Sequence, residues 1–304
     1  MGRRTGIITL IYLLLATMPI YANVPEIDTV YEMEMENQNA EASYYHQQYK
    51  TLDNETEKKV RLFDLSYGEA KKIPVLMYHH LLMEEENTYG NNPAVITVEA
   101  FEEQMAYMHK YGFNTITLLE LEKFLEGELE VPKRSVVITF DDGYSSNYHY
   151  AYPILKKYGF EASIFLITHS VKEVSEPFTP IKTTSLGWDQ IVHGMDVFEY
   201  ANHTHDMHVQ DENEIPYLLT KSYNKIMQDL AMNKSITQSN YFAYPYGKYN
   251  EMTLDILEEL GYTLAFTTRT GYVQRGDSLL QLNRFGIYPT TSMLRFRAII
   301  HGIG

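Results

Sequence analysis

The sequence predicts an α/β protein: a distorted (β/α) barrel of about seven to eight strands, with its active site at the C-terminal ends of those strands. Three observations predict it. From Lys72 onward, short β-branched or aromatic runs alternate with amphipathic segments, and strand–helix alternation sustained over that length implies a mainly parallel sheet covered by helices. Three of the helical patterns close on a glycine, at Gly112, Gly159 and Gly261, which suits a helix C-terminal cap. No glycine-rich phosphate fingerprint comes after the first strand, which weighs against an open nucleotide-binding sheet.

Arg3 and Arg4 precede the apolar run Ile7–Leu15, and Ala22 closes the segment. A short positive region before an apolar stretch reads as an export signal over residues 1–22. An uncleaved membrane anchor is the competing reading, although a spanning helix wants about 20 apolar residues. Either one places the rest of the chain outside the cytoplasm, secreted or at the cell surface. Residues 23–71, rich in Glu, Asn, Gln and Tyr, read as a polar linker or stalk with a helix near Glu55–Leu65. The folded domain is expected over 72–304. Its strands are predicted at Ile73–Tyr78, Thr115–Leu118, Val136–Phe140, Ala162–Ile167, Val197–Ala201, Tyr241–Tyr244, Thr263–Thr267 and Arg284–Tyr288. Helices are predicted at Val98–Tyr111, His149–Tyr158, Met252–Leu260 and Ser292–Ile300.

Composition narrows the function classes. With 304 residues, 44% of them hydrophobic, the chain can bury a sizeable core. A net charge of -15 and the lack of any Lys/Arg cluster argue against a nucleic-acid partner. Cysteine is absent, which excludes disulfides, thiolate metal sites, a cysteine nucleophile and a lipid-modified cysteine.

The residues just past each strand carry the chemistry. Ile73–Tyr78 ends at His79-His80, and Val136–Phe140 ends at Asp141-Asp142-Gly143. Val197–Ala201 runs into Asn202-His203-Thr204-His205-Asp206-Met207-His208, and Tyr241–Tyr244 into Pro245-Tyr246-Gly247. Taken singly, Asp-Asp-Gly and Pro-Tyr-Gly are common turns, and His-rich loops are common surface. Four such clusters on strand ends would converge on one barrel face, which outweighs the ordinary readings. Adjacent carboxylates at the mouth of a buried strand raise each other's cost of ionisation. A divalent cation removes the conflict: one Asp oxygen and two His nitrogens suit zinc and leave positions for water and substrate. The cation holds one carboxylate ionised, and the neighbour is free to act as a general base.

Thr139-Phe-Asp-Asp-Gly143, His203-Thr204 and Pro245-Tyr246-Gly247 together resemble the polysaccharide deacetylases of carbohydrate esterase family four, the NodB-homology domain. The resemblance covers roughly Lys72 to Gly304 and makes 72–304 the catalytic domain. It implies that Asp141 is the catalytic base, that Asp142, His203 and a second histidine bind the metal, and that the Tyr246 backbone N–H helps stabilise the oxyanion.

Three departures from the family pattern stand out. The second histidine of the family often lies four residues after the first, where this chain has Met207, leaving His205 and His208 as candidates. Similarity to the subgroup acting on poly-N-acetylglucosamine favours His208. On a continuous helix that five-residue step would rotate the side chain about 140°, so a bent loop is required. His205 has the spacing of one strand face. Next, the third motif often opens on an Arg that tethers the catalytic Asp; here that position is Ala243, and Arg284 on the last predicted strand is the candidate replacement. Finally, the family's Leu-His motif carrying the general acid has only His301, at the end of the last predicted helix, as a counterpart. In the poly-N-acetylglucosamine subgroup the acid comes from a histidine near the domain start. Val75-Leu-Met-Tyr-His-His80 resembles that segment and points to His79. Trp188, the one tryptophan, reads either as a sugar contact or as packing.

The resulting expectation is a metal-dependent N-deacetylase of N-acetylglucosamine units in an extracellular or cell-wall polysaccharide. It would act as a monomer, without nucleic acid, with a membrane tether through the N-terminus if the signal stays uncleaved. Zinc is the expected metal, and cobalt or nickel suit the donor set as well. An O-acetyl carbohydrate esterase of the same fold and a non-catalytic carbohydrate-binding module are the other readings.

Overall fold

The computed structural model describes residues 44–51, 60–90 and 92–303, which lie in a compact unit running from Glu41 to Gly304. The segment 1–22 lies outside the described residues. Among those described, no helix is long and apolar enough to cross a membrane.

The strands of the main sheet are β1 (Val75–Tyr78), β4 (Asn114–Thr115), β5 (Ser135–Phe140), β6 (Ala162–Leu166), β7 (Phe198–Asn202), β8 (Tyr241–Ala243), β9 (Leu264–Phe266) and β10 (Phe285–Gly286). Their order is β10-β1-β5-β6-β7-β8-β9, with β4 added to β5, and every pairing is parallel. The sheet curls until its ends meet. Residues 279–284 run along β9, where Leu282 N–H donates to Ala265 O at 2.9 Å and Thr267 N–H donates to Leu282 O at 2.8 Å. That segment leads into β10, which returns to β1. The result is the distorted barrel expected from the alternation. A separate two-stranded ladder joins β2 (His80–Leu82) to β3 (Val95–Thr97).

The helices outside are α1 (Val98–Lys110), α2 (Leu118–Glu126), α3 (Tyr152–Tyr158), α4 (Trp188–His193), α5 (Tyr217–Thr220), α6 (Tyr223–Thr237), α7 (Glu251–Glu259) and α8 (Met293–Ile300). Two sequence expectations shift for local reasons. The strand expected at Thr115–Leu118 stops at Thr115, because Thr117 caps α2: its Oγ1 accepts Glu120 N–H at 3.2 Å while Glu120 reaches back to Thr117 N–H at 3.0 Å. The helix expected over His149–Tyr158 begins only at Tyr152, after a wider turn over Asn147–Ala151, with Pro153 in its first turn, where no N–H is needed.

Alternation along the strands divides the core. Val75, Val137, Phe165, Ala201, Ala243 and Phe266 fill the interior with the α2 residues Leu118, Leu121 and Phe124. Leu76, Ile138, Phe140 and Ile164 face outward onto α1, α3 and α8. Phe242, Tyr244 and Ala265 pack under α6 and α7.

Within the segment read as a stalk, residues 44–51 are helical and pack on the barrel. Tyr49 is buried, its ring 5.5 Å from Trp188, and its hydroxyl donates to Thr237 O at 2.8 Å. His46 stacks on the indole at 4.4 Å, so Trp188 is a packing residue. Residues 60–65, the described part of the helix expected near Glu55–Leu65, are irregular. The backbone there serves Arg61, whose N–H and Nε both donate to Glu120 Oε1, at 3.0 and 2.7 Å.

Candidate active site

Two neighbouring backbone conformations send the acidic pair to different partners. Val137 and Thr139 point into the barrel, and Asp141 continues that inward register from the end of β5. Asp142 and Gly143 then both adopt left-handed backbone, with φ of 74° and 72°. Asp tolerates that region better than most residues, and Gly143 is required next, since a Cβ there would lie 2.8 Å from Leu166 Cδ2. The turn carries the Asp142 side chain away from Asp141 and out to the mouth.

Inside, Asp141 meets Arg284. The guanidinium Nη1 and Nη2 donate to Oδ1 and Oδ2, each at 2.7 Å, and both residues are buried. Arg284 is itself fixed, with Nε donating to Thr267 O at 3.0 Å and Nη1 to Thr139 Oγ1 at 3.2 Å. Burial alone would raise the Asp141 pKa, but the Arg284 charge and hydrogen bonds overcome it and hold the carboxyl below its ordinary value. His79 looks onto the same carboxylate, with Nε2 3.9 Å from Oδ2.

At the mouth, Asp142 faces two histidines. Its Oδ1 lies 3.4 Å from His203 Nε2 and 3.4 Å from His208 Nε2. One ligand atom from each of the three residues lies within 4.8 Å of the other two. Asp142 Oδ1 is buried and has no hydrogen-bond partner, which is costly unless something else neutralises it. Two ligand bonds of about 2.0–2.1 Å opened to the tetrahedral angle end about 3.3–3.4 Å apart, so each of the two Asp142–histidine separations suits a shared zinc-sized ion. His203 is oriented from behind: its Nδ1 donates to Ala243 O at 2.7 Å, which leaves Nε2 as the free lone pair. Burial would raise the Asp142 pKa, yet the neighbouring histidines, His203 foremost, hold it below the usual carboxylate range. Burial together with neighbouring His203 lowers His208 to about 4, so its ring is neutral and able to ligate.

The remaining candidates fall out of this geometry. His205 turns away: its Nδ1 pairs with Thr168 Oγ1 at 3.0 Å. His301 caps α8, with Nε2 3.1 Å from Tyr107 Oη and its ring on Phe113, none of which belongs to the cluster. Tyr246 does belong: its ring lies 4.5 Å from that of His208, its hydroxyl donates to His208 O at 3.3 Å, and its backbone is left-handed at φ 57°. Tyr144, which burial and the Asp142 charge hold above its ordinary pKa, and Asp229, which accepts from His205 and Asp206 N–H, also shape the site, and the strand-end motifs did not single them out.

A profile of the family described as polysaccharide deacetylase matches residues 128–265. The Bacillus subtilis (strain 168) protein YxkH, named as a polysaccharide deacetylase, is 32% identical over 235 residues, 76% of this chain and 77% of its own. The chain belongs to the polysaccharide deacetylase family. Its members are hydrolases acting on amide bonds, and this deacetylase keeps their barrel. A poly-β-1,6-N-acetyl-D-glucosamine N-deacetylase of Staphylococcus aureus (strain MSSA476) is 28% identical over 229 residues, 71% of this chain and 76% of that one. Among solved structures, the Streptococcus pyogenes deacetylase PplD in complex with acetate superimposes with a TM-score of 0.65 at 29% identity, covering 75% of this deacetylase and 98% of PplD.

Proposed function

We propose that this deacetylase removes acetyl groups from N-acetylglucosamine units of a cell-surface or extracellular polymer, using a divalent metal held by Asp142, His203 and His208. One observation carries the reading: a buried, Arg-tethered carboxylate beside a partnerless carboxylate oxygen that two histidine Nε2 atoms face. A divalent cation there supplies Lewis acidity, activating water and polarising the acetamide carbonyl. Asp141, held ionised by Arg284, accepts the proton of the attacking water. The Tyr246 backbone N–H donates to the oxygen that becomes negative as the carbonyl carbon turns tetrahedral. His79, facing Asp141 from just past the end of β1, protonates the departing amine nitrogen. The C–N bond breaks, leaving acetate and a free amine on the sugar.

A polymer is supported by the surface next to His79. β1 and β10 pair Met77 with Gly286, so two residues on, His79 is level with Tyr288. Pro93, Tyr288, Pro289 and Thr290 line a hollow of about 250 Å³ there. The Tyr288 ring is seated on Gly286, where a Cβ would lie 2.1 Å from the hydroxyl, and its N–H donates to Thr291 Oγ1 at 3.0 Å. A fixed aromatic and two prolines offer a sugar ring an apolar face at low entropic cost. The similarity to the staphylococcal enzyme favours poly-β-1,6-N-acetylglucosamine. The signal-like segment 1–22 would place the activity outside the cytoplasm.

The test is acetate release from N-acetylated and O-acetylated oligosaccharides, before and after chelation and with zinc, cobalt or nickel added back. Metal-dependent release from the N-acetylated chains is expected. Full activity after exhaustive chelation would sink the metal reading, and release from O-acetyl substrates alone would favour an esterase.

A further inference from the structure

We propose that Asp229, on α6, is a positioning residue for the ligand loop: its carboxylate clamps two consecutive backbone N–H groups between His203 and His208, and so presents His208 to Asp142. The inference rests on the metal site proposed for Asp142, His203 and His208. His205 N–H donates to Asp229 Oδ1 at 2.8 Å and Asp206 N–H to Oδ2 at 2.7 Å. The unusual spacing needs such a device, because the rotation expected on a regular helix would carry His208 off the face of His203. Thr204, left-handed at φ 74°, turns the chain immediately after His203. The clamp holds the next two residues, and Met207 packs against the apolar cluster of Leu218, Ile226 and Leu230. His208 then returns to within 3.4 Å of Asp142.

The clamp is anchored from its own helix. Asp229 is buried, and Asn233, one turn further along α6, donates from Nδ2 to Leu166 O at 3.3 Å and to Thr168 Oγ1 at 2.9 Å. Thr168 in turn pairs with the His205 ring, and its N–H donates to Thr204 O at 3.2 Å. The loop is therefore gripped from both sides while its two ligating rings stay clear. Only a carboxylate accepts from both N–H groups at once; an amide presents one oxygen and an NH2 that would oppose the second donor.

The experiment compares wild type with Asp229→Asn for cobalt affinity, by competition with a chelator, for the visible spectrum of bound cobalt, and for the unfolding midpoint of the metal-free chain. Partners at this remove from a metal typically change its affinity by about 10- to 100-fold, and a loss of that size with an altered spectrum is expected. A loss confined to the metal-free unfolding midpoint, with affinity and spectrum unchanged, would assign Asp229 a structural role and overturn the proposal. If Asp229→Asn does not fold, Asp229→Glu, which moves both oxygens by one methylene, is expected to bind cobalt at least about tenfold more weakly; wild-type affinity in it would overturn the clamp. Wild-type protein that binds no divalent cation would overturn the metal-site reading and the clamp with it.

Discussion

Arg284 holds Asp141 with both terminal nitrogens at 2.7 Å, from a position 143 residues further along the chain. The family's usual tether would come from position 243, here an alanine whose carbonyl instead orients His203. Removing one partner of a buried pair strands the other charge, so Arg284→Ala should cost about 3–5 kcal/mol of stability. It should also raise the Asp141 pKa and move the acid limb of the activity profile to higher pH, since the base must be ionised. Arg284→Lys keeps the charge without the two-pronged geometry and should recover only part of both. Denaturant unfolding and a pH–rate profile check this; unchanged values in Arg284→Ala would remove Arg284 from the mechanism.

Asp142→Ala removes the one oxygen that both histidines face. Acetate release should fall at least about a thousandfold, the equivalent of about 4 kcal/mol of transition-state stabilisation. Added zinc should not restore it, whereas chelated wild type should recover. His208→Ala should behave similarly, and His205→Ala should retain metal binding in equilibrium dialysis.

His80 reports on pH and stability. Its ring is buried, 2.7 Å from Ser146 Oγ through Nδ1, and burial lowers its pKa from 6.5 to about 4. Above pH 6.5 folded and unfolded chains both carry it neutral. Between pH 6.5 and about 4 the unfolded chain takes up a proton that the folded chain refuses, so stability falls through that window, by up to about 3 kcal/mol. Urea unfolding from pH 7.5 to 4 should show a shallower decline in His80→Asn than in wild type. Parallel curves would show that another group governs the window.

Tyr288→Ala should raise KM for tetrasaccharide and longer chains about five- to tenfold, the loss of roughly 1 kcal/mol of ring contact. A single-sugar N-acetyl substrate should be unaffected, and Tyr288→Phe should resemble wild type. Equal loss on short and long substrates would place Tyr288 outside the polymer cleft.

Local signals in the sequence marked the barrel and the strand-end clusters, because alternation and glycine caps are set within a dozen residues. They did not reveal α6, whose buried face carries Asp229, Asn233 and Thr237 beside Ile226 and Leu230. Those polar residues, of which Asp229 accepts from His205 and Asp206 N–H, also erase the apolar stripe that marks a helix. Residue spacing alone leaves His205 and His208 open, and only the resemblance to the poly-N-acetylglucosamine subgroup favours His208; the loop that carries them is tied to a carboxylate 24 residues beyond His205. The Arg284 tether could be guessed from the missing Arg at position 243, but only the closure of the barrel brings it to Asp141.

The strap formed by residues 44–51 and 60–65 has a practical consequence for anyone cutting the chain. Strand–helix alternation begins at Lys72, and a fragment starting there would look complete. It would lack Tyr49 and His46, uncovering Trp188 and Tyr200. It would also lack Arg61, whose Nη2 sits 2.6 Å from the fully buried Glu120 carboxylate at the base of the barrel. Such a fragment should express poorly or aggregate even with every catalytic group present, whereas one starting at Glu41 should be soluble.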